Sequence, residues 1–129
     1  MTPRPGRRQP CSIIDARARL HDAEAFLETA DTASDSDVKA TNAIHAAIAA
    51  ADAICCFAAR ERSADGNHSA AVDLLRTVDR QLAATLSRLL ARKQQAAYES
   101  RDVSAKDAST CIRQATALVE AARSRNLTV

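Results

Sequence analysis

Arg62 and His68 are the two side chains of this sequence best matched to a reaction. Arginine binds phosphate through a planar fork of donors and imidazole exchanges a proton near neutral pH, so together they are a minimum kit for metal-free cleavage of RNA. Their spacing predicts that they straddle a corner between two helices, where the free N–H groups opening the second helix add a place for an anion. The pair also has an ordinary reading, with Arg62 opposing the negative end of a helix dipole and His68 an exposed first-turn residue. A second set, Asn42, His45 and Asp52, follows gaps of three and seven and so shares one helical face. That face is either a ligand-binding stripe or the solvated side of an amphipathic helix. The three histidines, His21, His45 and His68, are never four residues apart, and neither a Glu-x-x-His pair nor a Gly-rich phosphate loop occurs. No metal and no cofactor are expected.

These residues must be positioned by helices. Thirty of the 129 residues are alanine, aromatics are 2%, and Gly 2 and Pro 3 leave little turn chemistry, which excludes sandwiches, barrels and doubly wound sheets. Met1 to Pro10 holds all the prolines with Arg4, Arg7 and Arg8, and residues 1–11 are expected to form a flexible basic tail. A single domain then spans residues 12–126. The first helix carries Ile13, Ala16, Leu20, Ala23 and Leu27 inward and breaks in the polar stretch Asp31 to Asp37. The second, capped by Ser36 or Asp37, buries the seam Ala40, Ile44, Ala47, Ala51, Ile54 and Ala58 and stops at Gly66. The third covers about His68 to Val78 with Asn67 as its cap, and the fourth about Arg80 to Glu99 on Leu82, Leu86, Leu89 and Leu90. The fifth opens on Ser104 with Asp107 in a capping-box arrangement and buries Ala108, Cys111, Ala115, Leu118 and Ala122. The expected fold is all-α, an antiparallel four-helix bundle with the short third helix across one end.

A net charge of +2 argues against a strongly basic nucleic-acid binder and against an acidic disordered chain. Arg76, Arg80, Arg88 and Arg92 are interrupted by Asp73 and Asp79 and read as a mixed-sign solvated surface. Uninterrupted apolar runs are too short to predict a membrane span, and the N-terminus lacks a signal-peptide pattern, so a cytoplasmic protein with no membrane partner is expected. Cys11, Cys55, Cys56 and Cys111 match neither a zinc module nor a disulfide framework and are expected as buried free thiols.

The alanine-rich helix followed by RERSADGNHSAAVDLL resembles the second and third helices of the HEPN superfamily, where a His just past the corner introduces the third helix. The stretch LLARKQQAAYESRDVSAKDASTCIRQATALVEAAR, from Leu89 to Arg123, is similar to that superfamily's late signature R-x-x-A-D-Y and the final helix after it. The resemblance implies a small helical bundle, commonly a homodimer. Its members act as metal-independent ribonucleases, as toxin or antitoxin partners of small nucleotidyltransferases, or as non-catalytic binders of nucleotides and RNA. Active members carry R-x(4 to 6)-H, a spacing that Arg62 and His68 satisfy, but the late signature here has Lys93 for its Arg and Ala97 for its Asp, with Tyr98 at the aromatic position. The resulting expectation is a homodimeric, non-catalytic module that binds RNA, a nucleotide or a nucleotidyltransferase-type partner and uses Lys93, Tyr98, His45 and Asp52. A ribonuclease using Arg62 and His68 is the alternative, and a ligand-free structural helical protein the second.

Overall fold

The computed structural model describes residues 7–64, 68–99 and 101–129, and the side chains at 97 and 98 lie outside that description. The described residues are mostly helical: β1 (Arg8–Pro10), α1 (Ile13–Thr32), α2 (Ser36–Ala59), β2 (Glu61–Ser63), α3 (His68–Val78), α4 (Arg80–Tyr98) and α5 (Ala105–Leu127). All-α character is as expected, with the addition of a two-stranded antiparallel sheet in which Gln9 faces Arg62.

α1, α2, α4 and α5 start after short polar side chains that satisfy free first-turn N–H groups. Ser12 and Asp15 form a reciprocal capping box on α1, with Asp15 N donating to Ser12 Oγ at 3.1 Å and Ser12 N donating to Asp15 Oδ2 at 2.9 Å. Asp35, not Ser36 or Asp37, caps α2 by accepting from Val38 N at 3.0 Å. Asp37 is used elsewhere: its Oδ1 accepts from Val103 N at 2.9 Å, tying the α4–α5 connection to the start of α2. Asp79 separates α3 from α4 by accepting from Leu82 N at 3.0 Å. Ser104 caps α5 as expected, but only half the box forms, because the Asp107 carboxylate faces Arg92 at 3.0 Å.

α2 is the central element, in contact with every other helix and with β2. All residues from Ala49 to Phe57 are buried, so the narrow seam expected from the sequence is in fact an all-round core helix, while Ala58, placed in that seam, is exposed. Alanine on this surface lets neighbouring helices approach closely. α2 is long and apolar enough to cross a membrane by length and composition alone, and most of that stretch is buried against the other elements. α1 runs antiparallel to it: the Phe26 ring lies 5.2 Å from that of His45, and Arg19 reaches Asp52 two turns further along α2. The predicted inward faces of α1, α4 and α5 pack on this core, with Leu20, Leu86, Leu89, Cys111 and Leu118 buried.

Three expectations are corrected. α2 ends at Ala59 rather than Gly66, because Arg60 takes the left-handed conformation at φ 56° and its N–H donates to Cys56 O at 3.0 Å. A non-glycine residue there carries a steric cost of roughly 1–2 kcal/mol, offset by the Arg60 guanidinium, which donates to the carbonyls of Cys56 and Phe57. The expected roles of Gly66 and Asn67 lie outside the described residues. The basic tail does not extend to residue 11, because Arg8–Pro10 pair with β2 and Cys11 is buried. Finally, Cys11 and Cys56 are not free thiols: they form a disulfide, with Cα atoms 5.3 Å apart in the usual range. Cys55 and Cys111 are buried and free as expected.

Candidate functional site

A groove of about 790 Å³ lies between α2, α3 and α4. That is within the range of small-ligand sites. Ile44, Val72, Leu90 and Ala91 give it an apolar lining, and Thr41, Ser69, Ser87 and Gln94 add neutral polar groups. His45 from α2, His68 and Arg76 from α3, and Lys93 from α4 bring imidazole and cationic groups to it. Asp73 lines it as well and holds Arg76 Nη1 at 2.8 Å in an exposed pair. Helical spacing explains the α3 contribution, since His68, Val72 and Arg76 follow each other at intervals of four and share one face. The apolar side of α3, through Leu74 and Leu75, packs into the core and turns that face toward the groove.

The sequence candidates therefore separate into two groups. His45, His68 and Lys93 line the same groove, although they come from three helices. Arg62 and Asp52 do not line it. Asp52 is 9% exposed and its Oδ2 accepts from Arg19 Nη2 at 2.8 Å and Nε at 3.2 Å. Arg62 Nη1 approaches the same oxygen at 3.9 Å. With the Gln9 amide oriented so that its oxygen faces Arg62, that oxygen accepts from Nη2 and Nε, each at 2.8 Å. Arg62 thus belongs to a strand and an internal ion-pair network, not to a helix corner beside His68. The carbonyls at the end of α2 are met by Arg60 instead. Asn42 spends its amide on Val38 O within α2.

Burial pushes the Asp52 carboxyl above its ordinary pKa, against the opposing charge and hydrogen bonds of Arg19 and the charge of Arg62. The adjacent Cys55 thiol is pushed up to about 12 by burial and by the Asp52 carboxylate, which makes it an unreactive thiol. Asp37 moves the other way, lowered first by the backbone donor of Val103, with a smaller contribution from the charge of Lys93. Tyr98 closes α4, and its side chain lies outside the described residues. Among the described residues, no group of His, Cys, Asp and Glu could hold a metal ion.

Reasoning from sequence alone missed Arg76 as a groove residue and Arg19 and Gln9 as partners of Asp52 and Arg62. The spacing of His68 and Arg76 carried a signal for the first. The other two contacts span 33 and 53 positions and have no local signature. Chemically, the groove can receive an anionic group beside an apolar or planar one, since its cations attract phosphate and its imidazoles can donate hydrogen bonds. No protein-family model, curated protein or solved structure matches the chain.

Proposed function

We propose that this chain is a non-catalytic binding protein of HEPN-like architecture, an antiparallel four-helix bundle with α3 as the additional short helix, that holds a nucleotide or RNA phosphate in the α2–α3–α4 groove. The observation that carries this reading is the convergence of His45, His68 and Lys93 on one apolar-lined groove beside Arg76. Phosphate recognition needs cationic and N–H donors, and an apolar wall suits the base or sugar attached to it. The ion pair of Arg62 with Asp52 and its bonds to Gln9 weigh against the ribonuclease alternative, since they occupy the guanidinium that would have to meet the scissile phosphate.

The test is incubation of the purified protein with a mixed RNA substrate in EDTA, comparing wild type, His68→Ala and Arg62→Ala. The expected result is intact RNA with all three. Cleavage by the wild type that is lost in both variants, with their folds intact by circular dichroism, would overturn the non-catalytic reading and establish a metal-independent ribonuclease.

A further inference from the structure

The Cys11–Cys56 disulfide joins the segment before α1 to the last turn of α2, across 45 positions of sequence. Apart from that bond, the contacts described for residues 8–11 are mainly those of a short ribbon. β1 is three residues long and exposed at both ends, and a two-stranded ribbon of this size is not stable by itself. Its flanking backbone bonds run from Cys11 N to Arg60 O at 2.9 Å and from Ala64 N to Arg7 O at 2.8 Å. The Arg8–Glu61 pair is 3.6 Å long and half exposed, so it adds little. Gln9 faces Arg62 from the middle of the strand.

The core does not depend on this segment in the same way. α2 packs against α1, α3, α4 and α5, and the apolar residues Ile54, Leu75, Leu86, Leu89 and Leu118 are fully buried by those helices. We infer that the Cys11–Cys56 disulfide is a thiol-responsive clasp: its reduction releases β1 from β2 and frees Arg62 from Gln9, while the helical core stays folded.

The chemistry is thiol–disulfide exchange with a dithiol as reductant. A thiolate of the dithiol attacks the Cys11 sulfur during local opening of β1, forming a mixed disulfide, and Cys56 leaves as a thiolate that takes up a proton. The second thiol of the reductant then displaces Cys11, which is protonated in turn, and the reductant departs as its own disulfide. Two electrons and two protons pass to the protein. Attack requires strand opening because Cys11 is 4% exposed and Cys56 0%. The groove residue Ile44 lies twelve positions before Cys56 on α2, about 18 Å away at the rise of a helix, so the clasp acts at the other end of that helix.

Backbone hydrogen exchange on the full chain, followed residue by residue in the oxidised protein and again in dithiothreitol, tests the inference. Thiol titration of the denatured, unreduced protein is expected to find Cys55 and Cys111 alone. On reduction, exchange at the Cys11 and Ala64 amides should accelerate roughly tenfold or more while Ile54 and Leu118 keep their protection. Cys11→Ser should exchange like the reduced wild type with or without dithiothreitol. Four free thiols without reductant, unchanged protection at Cys11 and Ala64, or loss of protection at Ile54 and Leu118 as well would each overturn the clasp; the last outcome would make the bond a staple of the whole fold.

Discussion

Asp52 shows how one charged side chain is accommodated inside a helical core. It lies within the uninterrupted buried stretch of α2, and its carboxylate is compensated by Arg19 and approached by Arg62. Burial nevertheless outweighs these partners and raises its pKa above the ordinary value of 3.8. A carboxyl whose pKa is higher folded than unfolded binds its proton more tightly in the native state. Its contribution to stability therefore falls as pH rises from the unfolded value through the raised folded value. Asp52→Asn removes this titration and keeps an acceptor for Arg19. Melting temperatures of the two proteins from about pH 4 to about pH 7 should shift against the wild type, relative to the variant, as pH rises. A difference that is flat, or that moves in favour of the wild type, would mean that the Arg19 pairing outweighs the desolvation of Asp52. Asp37 has the opposite sign: its lowered pKa makes the bond to Val103 a contribution present above the unfolded value and lost as pH falls through the folded one.

At the scale of elements, Leu86 on α4 is 0% exposed and packs in the common core, so Leu86→Asp places an unpaired carboxylate where no partner is built for it. The expected cost is about 3 kcal/mol or more in urea unfolding; a midpoint equal to wild type would show that this face of α4 is not in the core. The face was legible in the sequence, as was the start of α5, because Ser104 caps it with a side chain whose preference is local. The end of α2 was not legible. Gly66 carries the usual signature of a left-handed cap, while the residue observed there is Arg60, which offsets its backbone cost by reaching back to the helix carbonyls. Nor were β1 and β2 legible: Arg-Gln-Pro and Glu-Arg-Ser have no alternating apolar pattern, and their pairing depends on contacts more than 50 positions apart. The disulfide has the same character, since cysteine spacing does not specify which thiols meet in space.

On the scale of the whole molecule, the site was legible in part, because a helical face tells which residues share a direction but not what covers each level of it. His45 and Asp52 share a face of α2; Phe26 of α1 lies beside the first, which stays exposed and lines the groove, whereas Arg19 of α1 and Arg62 of β2 close over the second. His68 and Lys93 reach the same groove from α3 and α4, so the arrangement exists only once the helices have packed. The central claim is that phosphate is bound in this groove and not at Arg62. Fluorescence anisotropy of a labelled oligoribonucleotide, titrated at two salt concentrations with wild type, Lys93→Ala and Arg62→Ala, addresses it most directly. The expected results are binding by the wild type, a loss of roughly threefold to tenfold with a shallower salt dependence for Lys93→Ala, and unchanged affinity for Arg62→Ala. Absence of binding by the wild type, or a loss with Arg62→Ala that Lys93→Ala does not share, would contradict it.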